Sequence, residues 1–120
     1  MPERLHMSHE EYLAHRRGQV LDLVRQAQNG GVGLLLAVRE IEALLRELAQ
    51  LEKKPESADL LFLKVVSSEC DDLPLGSERQ YWALGSLREK DEQAARYAAQ
   101  VHDHVLLIFA RIADDLQQLQ

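Results

Sequence analysis

The feature that most limits the fold is the stretch 86–120, which contains neither glycine nor proline. Along it Leu87, Ala94, Ala98, Val101, Val105, Ile108, Ile112, Leu116 and Leu119 recur in a three-four rhythm. That spacing places the side chains on one face of an α-helix and predicts a helix over about 86–118, roughly nine turns long. Ser86 and Glu89 have capping-box spacing and mark one start for it, a slightly earlier start being the alternative. A helix of this length with an apolar stripe needs other helices to cover it.

The rest of the chain supplies them. Ser8 and Glu11 form a second capping-box pattern, followed by apolar residues at Tyr12, Leu13, Val20, Leu23, Val24 and Ala27. Asn29-Gly30-Gly31 ends that element, giving a first helix over about 9–28. Leu34, Val38, Ile41, Leu45 and Leu48 then form the cleanest seam in the chain, widened by Leu35, Leu44 and Leu51. The wide stripe implies two neighbours, and Pro55 stops the element; the second helix spans about 32–53. Residues 60–66 have a strand-like composition, but the sequence offers no second strand to pair with them. Ser57 is a natural cap, so a short third helix is expected over about 57–70. Residues 71–77, with Pro74 and Gly76, read as a loop, and 78–84 as a short helical turn presenting Tyr81 and Trp82. The expectation is all-α: a single four-helix antiparallel bundle with a short or tilted third helix and a long C-terminal helix. That last helix carries apolar residues beyond Val105 that the short third helix cannot match, which predicts a homodimer through the fourth or second helix.

Composition excludes several function classes. The 46% hydrophobic and 28% charged content is that of a globular chain rather than a disordered one. Of the net charge of −6, nearly all arises in residues 55–78, where six acids face one lysine. No basic patch exists to release counterions from DNA, RNA or anionic lipid, so no nucleic-acid and no membrane partner is expected. The apolar run 105–110 is too short to span a bilayer, and no secretory h-region follows Met1; a cytoplasmic location is expected. Cys70, the single cysteine, allows no internal disulfide, and its neighbours Glu69, Asp71 and Asp72 disfavour the thiolate.

Catalytic patterns are missing: there is no nucleophile elbow, no H-E-x-x-H, and no phosphate loop, since Gly30-Gly31-Val32-Gly33 lacks the lysine and the preceding strand. His102 and His104, two apart on a helix, point to different faces. The acidic run lacks the ligand spacing of an EF-hand. No cofactor and no metal site is expected, and the chain reads as a non-enzyme.

The chemistry that remains lies in one loop. Glu69, Asp71, Asp72 and Glu78 gather around Pro74 and Gly76, and Arg79 and Trp82 follow three apart. On a helical turn these two share a face, where the guanidinium can stack on the indole or clamp a carboxylate. The loop can be held internally, with Arg79 paired to Glu69 or Asp71, Trp82 in the core and Leu73 beneath it. Alternatively it is a surface for a partner. The functional expectation is a non-catalytic interaction module that engages a basic protein through Glu69, Asp71, Asp72, Glu78, Arg79 and Trp82. The alternative is a helical module that binds a small ligand or a divalent metal.

Residues 68–82 read S-E-C-D-D-L-P-L-G-S-E-R-Q-Y-W, followed by Leu87 and Lys90-Asp91. This resembles a family of small bacterial helical proteins of unknown function that carry S-E-x-D-x-L-P-x-G-x-x-R-x-x-W followed by L-x-x-K-D. The resemblance departs at Ala83-Leu84-Gly85, where the family starts its helix with a Ser-Pro-Glu-like sequence. It implies a shared helical fold and supplies no activity.

Overall fold

The computed structural model describes residues 8–119, in which four helices follow one another: α1 (His9–Gln28), α2 (Leu34–Glu52), α3 (Ala58–Glu69) and α4 (Leu84–Gln118). A single 3-10 turn, Ser77–Tyr81, lies in the loop between α3 and α4. No strand occurs among the described residues. The expected all-α antiparallel bundle is what forms. Among the described residues no helix is long and apolar enough to cross a membrane.

The helix ends follow from local chemistry. Ser8 Oγ accepts the Glu11 amide at 3.0 Å and Ser57 Oγ accepts the Leu60 amide at 3.1 Å, each satisfying a donor the first turn leaves free. After α1, Gly30 has φ +78°, its N–H bonds to Ala27 O, and Gly31 N–H bonds to Gln26 O. This is a Schellman closure, in which glycine enters the left-handed region without a Cβ penalty. It consumes Val32 and Gly33 as connector, so α2 starts at Leu34 rather than at 32. The same closure ends α2, with Lys53 N–H on Gln50 O and Lys54 N–H on Ala49 O. Here the left-handed position holds a lysine at φ 56°.

α2 is the central element, packed on both α1 and α3, while α4 lies mainly along α1 and touches α2 and α3. This is why the α2 stripe is wide: Leu35, Ala37, Val38, Ile41 and Leu48 are all buried. Residues 60–66 are helical, with Leu60, Leu63 and Val66 inside and Leu61 and Val65 in solvent, a three-residue period no strand would give. The antiparallel register is fixed at several points. Arg17 pairs with Glu52 at 2.8 Å and Arg16 with Glu47 at 2.8 Å between α1 and α2. Between α3 and α4, Arg111 forks onto Asp59, and His104 stacks on Phe62 with ring centroids 3.9 Å apart.

α4 departs from expectation in two ways. It begins at Leu84 on an extended Ala83 with no side-chain cap, so the Ser86–Glu89 box does not form and Ser86 sits inside the first turn. Its apolar seam beyond Val105 is also covered. Val105, Ile108, Phe109, Ile112 and Leu116 are all buried within this one chain, and only Leu107 and Leu119 are left exposed. Residues 84–104 contain no buried side chain at all. The less covered half of α4 is therefore the first, where Ala94, Tyr97, Ala98 and Val101 are only half-buried against the core, the opposite of what the seam alone suggests.

Candidate functional site

The loop 70–83 is anchored before it presents anything. Cys70, Leu73 and Pro74 are buried, and Leu75 packs on the core. Leu73 thus lies beneath the loop as expected. Burial pushes the Cys70 thiol up to about 11, with smaller contributions from Asp71, Asp72 and Glu69 that Arg39 opposes. An ordinary thiol is already protonated at neutral pH, and burial, more than the flanking acids, disfavours the thiolate further.

Three ion pairs then fix the loop to the helices on either side. Arg39 Nη1 of α2 donates to Glu78 Oε2 at 2.9 Å. Glu78 also accepts the amides of Leu75 and Gly76, each at 3.2 Å, so one carboxylate ties the Pro/Gly turn to α2. Arg79 forks onto Asp91 of α4, with Nη1–Oδ1 at 2.6 Å and Nη2–Oδ2 at 3.0 Å, and also donates to Pro74 O at 3.1 Å. Lys90 donates to Asp72 Oδ2 at 3.2 Å. Gly76 belongs to this arrangement through space rather than φ: a Cβ there would stand 2.8 Å from Arg39 Nη2 and 3.0 Å from Glu78 Oε1.

These contacts reassign several residues. The partner of Arg79 is Asp91, not Glu69 or Asp71, because the 3-10 turn points the guanidinium along α4. Arg79 and Trp82 do not stack; among the described residues the cation–π contact is Arg16 over Tyr12. The turn ends at Tyr81 and Trp82 is already extended, so the shared helical face on which stacking depends is lost. Trp82 does not fill the core: it is 37% exposed and Tyr81 is 83% exposed. Glu78 faces the loop's own amides rather than presenting its charge. Glu69 and Asp71 are exposed and have no ion-pair partner among the described residues. Arg79 and Glu69 line different surface clefts, Arg79 with Asp91 and Glu69 with Leu73 and Tyr97. Among the described residues no group of three or more His, Cys, Asp or Glu is placed to hold a metal ion. His102 bonds to its neighbour Asp103 at 2.9 Å while His104 lies on Phe62, so the two histidines do separate as their spacing predicts.

Arg39 and Asp91 were not among the sequence candidates. Asp91 had a signal, since Lys90-Asp91 closes the motif. Arg39 had none, being one of several charges on the polar side of α2.

The pairing makes a pH prediction. Arg39 first, and then the turn's amides, pull the Glu78 carboxyl from its usual 4.5 to about 2. A depressed acid contributes stability that is complete above its unfolded value and is lost as the pH falls through its folded one. The loop is therefore expected to loosen between about 4.5 and 2, read from the fluorescence of the single tryptophan, Trp82. Asp91, lowered by Arg79, acts in the same direction. In Glu78→Gln the loop is loosened already at neutral pH and the acid transition shrinks to the Asp91 part; an unchanged titration would contradict the assignment. No protein-family model matches the chain, and no curated protein and no solved structure matches it either.

Proposed function

We propose that the chain is a non-catalytic protein-interaction module whose contact surface is the loop 70–83, with Tyr81 and Trp82 as apolar anchors and Glu69 and Asp71 as the acids facing a basic protein partner. The observation that carries this reading is the exposure of Tyr81 and Trp82 beside a turn that Glu78 and Arg79 fix to α2 and α4. Fully burying a large apolar side chain is worth about 1.5–3 kcal/mol; this fold leaves most of that unrealised at Tyr81, 83% exposed, and part of it at Trp82, 37% exposed. Rigid aromatic side chains dominate binding energy at interfaces because little conformational freedom is lost when they are covered. The charge balance selects the partner. Of the six acids in residues 55–78, Glu56, Asp59, Asp72 and Glu78 are paired within the chain, and Glu69 and Asp71, with no ion pair among the described residues, are left to favour a basic surface through encounter rate and orientation. The resemblance of residues 68–91 to a family of small bacterial proteins falls on this same loop.

Affinity capture from an extract of the source cells tests the reading with three baits: the natural chain, Tyr81→Ala/Trp82→Ala, and Glu69→Lys/Asp71→Lys. A basic protein held by the natural chain is expected to be lost from both variants while their helix content is unchanged. Retention by both variants at the natural level, or capture of no basic protein by the natural chain, overturns it.

A further inference from the structure

The first half of α4 carries a surface that the loop does not use. Residues 84–99 cover about 24 Å at 1.5 Å per residue and contain no buried side chain. Leu84, Arg88, Glu92, Ala95 and Ala99 follow at spacings of four, four, three and four, so they form one stripe. All five are exposed, Leu84 at 85%. Arg88 and Glu92 make no ion pair among the described residues, and an arginine four residues before a glutamate is the less favourable order within a helix. Leu84, Leu87, Arg88 and Glu92 line a shallow open cleft with Ala95 at its far end. Asp91, also on this side, is neutralised by the Arg79 fork.

We infer that the stripe is an isologous interface between two copies of this chain, with the two α4 helices antiparallel about an axis near residue 90. The charge pattern chooses the occupant. In a parallel pair Arg88 would oppose Arg88 and Glu92 would oppose Glu92. In the antiparallel pair centred at 90, each Arg88 meets the other copy's Glu92, and the contact occurs twice by symmetry. The same register sets Leu84 of each copy over the Ala95–Ala99 stretch of the other, a large side chain against small ones. The pattern is thus complementary to itself in charge and in shape at one register. None of its five residues belongs to the loop, and the two surfaces meet only at Arg79, which lines the same cleft through its fork onto Asp91.

Sedimentation velocity of the full chain, from micromolar to sub-millimolar concentration, tests it. The natural chain is expected to form a dimer in a concentration-dependent way. Arg88→Glu and Glu92→Arg are each expected to weaken dimerisation about tenfold or more, since every pair becomes like-charged. An equimolar mixture of the two variants restores association, because a copy with two acids then faces a copy with two arginines. The doubly reversed chain, Arg88→Glu/Glu92→Arg, also dimerises. A natural chain that stays monomeric throughout overturns the inference. So does a dimer indifferent to both single reversals, or a mixture that fails to associate.

Discussion

Replacing Phe109 with alanine is expected to lower the unfolding free energy by about 3–5 kcal/mol, the largest effect of any single truncation in this chain. Phe109 is completely inaccessible and is the largest fully buried side chain. It lies in the one part of α4 that is covered, next to Ile108 and between Val105 and Ile112, where the helix meets its neighbours. Removing the ring takes away its transfer free energy and leaves a cavity that packed helices close only in part. Domains of this size have about 5–15 kcal/mol of stability in all, so the variant should be severely destabilised or unfolded. Urea denaturation followed by circular dichroism measures the loss directly. A change below about 1 kcal/mol would mean that the second half of α4 is not packed as described.

The second large effect has the opposite sign. Glu42 is the buried charged residue of the core, 6% exposed, and its Oε2 lies out of water with no aligned hydrogen-bond donor. Arg46 Nε approaches that oxygen to 3.1 Å one turn further along α2, but without the direction a hydrogen bond requires. The contact is therefore ionic proximity without full compensation for the lost hydration. Glu42→Met keeps the length of the side chain and removes the desolvated carboxylate. It is expected to raise stability by about 1–2 kcal/mol, seen as a higher urea midpoint at unchanged slope. Arg46, half exposed, is left to water at little cost. A loss of stability would show that the carboxylate is fully satisfied in solution.

How much of this could be read from residues alone varies along the chain. The first three helices were legible because their ends carry local chemistry: Ser8 and Ser57 as caps, Gly30 in the left-handed closure, Pro55 after Lys53-Lys54. The seam through Val38, Ile41 and Leu48 was legible because burial repeats with the helix period. Phe109 was not placed in the seam, since a single three-four stripe cannot show that a helix touches neighbours on more than one side. The start of α4 is ambiguous in the sequence for a related reason. Ser86 and Glu89 have the right spacing, yet the extended Ala83 lets the helix start two residues earlier. In the loop, the charges pair otherwise than their nearness in sequence suggests. Arg79 finds Asp91, and Glu78 finds Arg39 some forty positions away, because tertiary packing and not separation along the chain decides which charges meet. The exposed first half of α4 was hidden by the same uniform rhythm that revealed the helix.

In the proposed interaction module the loop is held rigid and displays its aromatic residues, and Trp82, the single tryptophan, reports on it alone. Acrylamide quenching and time-resolved anisotropy at micromolar concentration measure its access and its freedom together. The expected tryptophan is open to quencher yet turns only with the whole molecule, and gains fast local motion in Arg79→Ala and Glu78→Gln. A tryptophan shielded from quencher, or one already rotating freely in the natural chain, would contradict it.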